Sequence, residues 1–90
     1  MFMFDNNSKE ATKNDLIEWM QSNLIRTKKI NNRVSCDFLR SKFEEQTGLY
    51  TSLVSFKYIA NELGYKITDT IYNCFINVSV HSPAIVNKGE

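Results

Sequence analysis

The sequence predicts an α+β domain in which three helices precede a C-terminal two-stranded β-ribbon. Three observations carry this. Apolar residues recur at helical spacing around positions 16–24, 38–43 and 53–63. Gly48 and Gly64 stand just past the second and third of those stretches, where a left-handed residue ends a helix. From Ile71 the pattern changes to alternation, with Tyr72, Cys74, Ile76, Val78 and Val80 on one side and Asn73, Asn77 and Ser79 on the other.

The first helix is expected over residues 13–25. Thr12 or Asn14 can cap it, and Asp15 and Glu18 lie where the helix dipole favours negative charge. Leu16, Ile17, Trp19, Met20 and Leu24 make its buried face. The connector over 27–35 turns at Asn31-Asn32, and Arg33-Val34 can add a short strand beside the ribbon. Ser35 caps a second helix over 36–46, with Phe38, Leu39 and Phe43 as its core stripe.

The third helix starts at Thr51 or Ser52. With Phe56 at the centre of its inward face, Leu53, Ile59, Ala60 and Leu63 join it at 100° per residue. Val54, Lys57, Tyr58 and Asn61 then point outward, flanked by Ser55 and Glu62. The ribbon is expected to start with a strand over 65–67 and turn at Thr68-Asp69-Thr70. Phe75 breaks the alternation, an apolar residue on the polar face. Residues 1–12, opening on Met1-Phe2-Met3-Phe4, are expected to form a flexible arm and 81–90 a flexible tail, leaving 13–80 as the folded domain.

At 90 residues there is one core's worth of chain, and 42% hydrophobic and 12% aromatic residues suit a compact globule. The net charge of +1 is not the footprint of a uniformly basic nucleic-acid binder, so any such role must rest on local clusters. One cluster exists: Arg26, Lys28, Lys29 and Arg33 put four cations into eight residues. No apolar run reaches the ~20 residues needed to span a membrane. The start lacks the basic flank and apolar region of a secretory leader, so an intracellular setting, cytoplasm or host nucleus, is expected, with reduced cysteines.

Catalytic and metal chemistry find no foothold. Cys36, Cys74 and His81 are scattered in sequence and fall short of a ligand set, so no cofactor or metal is expected. Glu44 and Glu45 point about 100° apart on a helix and do not converge on a substrate. The expected protein is therefore not an enzyme and has no small-molecule substrate.

The order helix, short strand, helix, helix, ribbon resembles that of winged-helix domains. Within that group, the second and third helices resemble the small C-terminal module of virus- and phage-type primase-helicases of superfamily 3. The matching positions are Ser52, Phe56, Leu63, Gly64, Tyr65 and Lys66 within residues 15–80. The phosphate-binding Gly-Lys-Ser/Thr loop of the motor part is missing, so the resemblance implies an accessory module acting in replication or transcription control. It implies duplex DNA as the ligand, read by the third helix. Asn61 can take adenine and Lys57 guanine or phosphate. Ser52 and Ser55 can hold a phosphate at the helix start. Lys66 and the connector cations Arg26, Lys28, Lys29 and Arg33 add charge, and Tyr58 can stack on a base. Only Lys57 is basic on the outward face of the third helix, so the connector is expected to supply much of the charge. The alternative is a protein-interaction or homodimer module using Val54, Tyr58 and Phe75 as its apolar contacts.

Overall fold

The computed structural model describes residues 9–70 and 74–86. Among these the chain forms β1 (Lys9–Glu10), α1 (Lys13–Asn23), α2 (Cys36–Thr47), β2 (Leu49–Tyr50), α3 (Leu53–Glu62), β3 (Ile67–Asp69), β4 (Cys74–Ile76) and α4 (Pro83–Val86). This is a small α+β domain with four helices and two two-stranded sheets, one helix and one sheet more than the sequence predicts.

The helices begin and end where local chemistry directs them. Thr12 accepts from the Asp15 backbone N–H while Asp15 accepts from that of Thr12, a reciprocal capping box for α1. Ser35 caps α2 through the Phe38 N–H, and Ser52 caps α3 through the Ser55 N–H. Gly48 closes α2 at φ 74°, a left-handed conformation that costs a side-chain-bearing residue energy.

Each of the three long helices then contributes one aromatic ring to a common junction. Trp19 of α1 meets Phe43 of α2 edge-on at 5.5 Å and Phe56 of α3 at 6.5 Å. Its indole N–H donates to Gln46 Oε1, so the ring is buried without stranding its polar atom. Leu16, Met20, Leu39, Ile59 and Ala60 fill in around it. Phe38 is the exception on α2. It is 41% exposed, with the Lys42 ammonium over its ring, because the buried stripe runs through Cys36, Leu39 and Phe43.

The ribbon departs from its sequence expectation in register. β3 and β4 pair antiparallel as Ile67↔Ile76, Thr68↔Phe75 and Asp69↔Cys74, so Thr68 and Asp69 lie in a strand and not in a turn. Expectations for Ile71, Tyr72 and Asn73 fall outside the described residues.

Asn77 shows why the ladder starts late. Alternation places it on a wet face, yet it is 2% exposed. Its backbone carbonyl accepts from Thr27 N, and its side chain does the ribbon's work, accepting from Lys66 N at 2.7 Å and donating to the Thr27 carbonyl at 2.6 Å. Asn31 adds bonds to the Ile76 and Val78 carbonyls, and Ser79 N bonds Ile25 O. The connector is thus laced along residues 76–79, which buries the side that alternation alone assigns to water. The extra strand expected at Arg33-Val34 does not form; in β-pairing, the connector meets the chain beyond β3 only through isolated bridges, Ser35↔Phe75 and Arg26↔Val78, among the described residues.

The domain reaches beyond both expected boundaries. Lys9 and Glu10 pair in parallel with Leu49 and Tyr50, so the arm expectation fails for these residues; residues 1–8 lie outside the described part. The tail expectation fails over 81–86. Ser82 is buried and its hydroxyl accepts from Ile25 N at 2.8 Å, and Ala84 of α4 is fully buried against α1 and α2. Val80 turns outward instead of continuing the apolar row. No helix among the described residues is long and apolar enough to cross a membrane.

Candidate nucleic-acid interface

The outward side of α3 carries Val54, Lys57, Tyr58 and Asn61, as helical spacing predicts. Its charges are already committed. Lys57 Nζ sits 2.8 Å from Asp69 Oδ1 on β3, and that hydrogen bond holds the ammonium pKa above its ordinary value. Glu62 pairs with Lys13 at 2.8 Å and also accepts from the Tyr58 hydroxyl. These bonds hold the Glu62 carboxyl below its usual range and raise the Tyr58 phenol and the Lys13 ammonium. Ser52 and Ser55 are occupied too. The Ser52 hydroxyl accepts from Ser55 N and bonds the Ser55 hydroxyl, so the helix start is capped from within. Of the polar residues expected to read DNA from α3, Asn61 stands exposed with no side-chain bond among the described residues.

The remaining cations gather elsewhere. Arg26, Lys28, Lys29, Arg33 and Lys66 are all exposed, and none forms an ion pair among the described residues. The fold links the connector to the start of the ribbon through two of them. Lys66 Nζ donates to the Lys28 carbonyl at 3.0 Å. The Arg26 guanidinium lies over the Tyr65 ring at 4.8 Å, beside Gly64, where an added Cβ would meet its Nη1 at 2.9 Å. Arg33 is oriented by its backbone N–H bonding the Asn31 side chain. The Tyr65 phenol, buried under this assembly, is raised by desolvation despite the nearby guanidinium.

No Asp or Glu occurs between Glu18 and Asp37, between Glu62 and Asp69, or between Asp69 and Glu90. The connector and the ribbon therefore present cations against a nearly acid-free background. By contrast, Arg40 bridges Asp37 and Glu44, and Lys42 meets Glu45, so α2 is self-neutralised. This partition explains how a chain of net charge +1 can hold a locally positive strip.

An apolar groove of about 330 Å³ opens between α1 and α3, lined by Ala11, Lys13, Leu16, Val54, Ser55, Tyr58 and Ile59. Val54 is 75% and Tyr58 58% exposed at its rim. Phe75, expected as a third contact, is half-buried between Thr68 and Ser35 and does not join them. Among the described residues no group of three or more His, Cys, Asp or Glu side chains is gathered in metal-binding range. The two cysteines are free and both buried.

No family model, curated protein or solved structure matches the chain. The residues themselves must carry the functional reading.

Proposed function

We propose that this is a winged-helix domain that binds the phosphate backbone of duplex DNA without catalysis, through the connector and the ribbon. The observation that carries the reading is the strip of five exposed cations, Arg26, Lys28, Lys29, Arg33 and Lys66, which lie on acid-free segments and form no ion pair among the described residues. Arg26 and Lys66 are held against Tyr65 and the Lys28 carbonyl, so part of the strip is pre-positioned. In this reading α3 lies near the duplex and contributes Asn61, while its internally paired Lys57 adds little. Contacts to phosphate supply affinity and orientation, not sequence choice. A role in replication or transcription control follows from the winged-helix likeness, and the same reading places the protein inside a cell.

Binding to mixed-sequence duplex, measured against salt, tests this. With four to five phosphates neutralised, the log–log slope should be about −4 for B-form DNA. Replacing Lys28, Lys29 and Arg33 together with Ala should weaken binding about 100-fold at low salt and flatten the slope to about −1 or −2. Absence of low-salt binding, or an unchanged triple variant, sinks the reading.

The α1–α3 groove favours a second reading, a protein-association module using Val54 and Tyr58. Sedimentation of the chain beside a Val54→Ser, Tyr58→Ala variant decides its self-association form: concentration-dependent mass lost in the variant supports it, and a strict monomer removes it.

A further inference from the structure

We infer that the groove between α1 and α3 is the docking site of this chain's own residues 1–4, whose apolar side chains cover it within one molecule. Nothing in this depends on nucleic-acid binding. The groove calls for a cover. Buried Leu16 and Ile59 line it, and its rim carries Tyr58 and Val54, the most exposed large apolar side chain among the described residues. Apolar surface left in water is a standing cost that a second apolar surface removes. Size then selects the occupant. Seven residues line the groove, whereas a stable interface between proteins takes about 20–30 a side. A second folded copy would gain too little there to offset the freedom lost on association. A segment tethered by a short linker avoids most of that loss, because its local concentration is on the order of millimolar.

The chain supplies such a segment at the right place. Ala11 is part of the groove wall, and β1 begins two residues before it, so the preceding residues enter beside the groove. Residues 5–8 read Asp-Asn-Asn-Ser, side chains that favour turns, and they reach at most about 14 Å. That is ample to double back from Lys9 past Ala11, only about 7 Å along the chain. The four residues before this linker are Met1-Phe2-Met3-Phe4, which have no polar side chain to desolvate. The other terminal segment, residues 87–90, reads Asn-Lys-Gly-Glu and offers no apolar side chain. At about 330 Å³ the groove has the volume of a small ligand pocket, which suits a few large side chains and not a whole helix. Docked in this way, residues 1–4 shut Val54 and Tyr58 off from a second copy.

In the test, Phe4 of the full chain is replaced by the photoreactive analogue p-benzoylphenylalanine, and the folded protein is irradiated when dilute, digested and mapped by mass spectrometry. The expected product has the mass of one chain, with position 4 joined to Lys13, Val54, Ser55 or Tyr58. Chains linked to each other, links confined to other parts of the chain, or no link at all would overturn the inference. Thermal melting gives a second readout without the analogue. Phe2→Ser with Phe4→Ser should lower the midpoint by about 5 °C. Val54→Ser with Tyr58→Ala should lower it in the parent, yet hardly lower it further once both rings are gone, because the two changes remove one contact. An unchanged midpoint without the rings, or shifts that simply add, overturns the inference equally.

Discussion

Two surfaces of this domain carry cations, and they treat them oppositely. On the side where α1 meets α3, Lys57 of α3 is spoken for by Asp69, and Lys13 of α1 by Glu62 of α3. Along the connector and the ribbon, Arg26, Lys28, Lys29, Arg33 and Lys66 have no carboxylate to answer them among the described residues. A paired ammonium must give up its partner before it can serve a phosphate, so much of its Coulomb gain is cancelled. An unpaired one releases condensed counterions at no such cost. The helix that the fold order nominates as reader is thus electrostatically quiet, and the segment that looks like a mere connector is the charged one.

The positive strip is anchored by Asn77, whose side chain joins the connector to the ribbon. Asn77→Ala leaves the Lys66 N–H and the Thr27 carbonyl without their half-buried bonds and should cost about 1–3 kcal/mol, read as a lowered denaturation midpoint in urea. If the variant matches the parent, the lacing is incidental and the strip has no fixed geometry.

A smaller effect sharpens the electrostatic side. Lys29→Met should weaken duplex binding about 3- to 10-fold, one lost phosphate contact, whereas Lys57→Met should change it less than about 2-fold. Equal losses would return α3 to the role of reader.

The smallest effect concerns how the α3 side holds itself. The Glu62 carboxyl is held down by Lys13 and then by Tyr58, so its stabilisation is present above its unfolded value of about 4.5 and lost as pH falls through the lower folded value. Melting temperatures compared between about pH 6 and about pH 3 should fall slightly less for Lys13→Met than for the parent. An identical fall would show that the pair contributes nothing measurable, as exposed pairs often do.

What was legible in the sequence was local. Thr12, Ser35 and Ser52 cap helices and Gly48 ends one, because those roles depend on a few neighbouring atoms. Phe43 and Phe56 lie in the core because spacing puts them on apolar faces. The missed features are long-range. Alternation reads Asn77 as wet because it records polarity, not the presence of a connector ready to take both ends of an amide. The two-residue pairing of β1 with β2 is too short to leave a pattern. For α4, a buried Ser82 and Ala84 look no different in sequence from a polar tail. Lys57 and Asp69 are both visible, but only the turn of the chain after Gly64 brings them to 2.8 Å.

The lone tryptophan has a practical side. Trp19 is 6% exposed and touches rings from both other long helices. Its emission is therefore a built-in gauge of whether α1, α2 and α3 remain docked, and a red shift marks their separation. Because that gauge is mounted in the helical layer, loosening confined to the connector should escape it. A second probe on the ribbon would then let an optical experiment watch the two halves of the domain come apart in sequence or together.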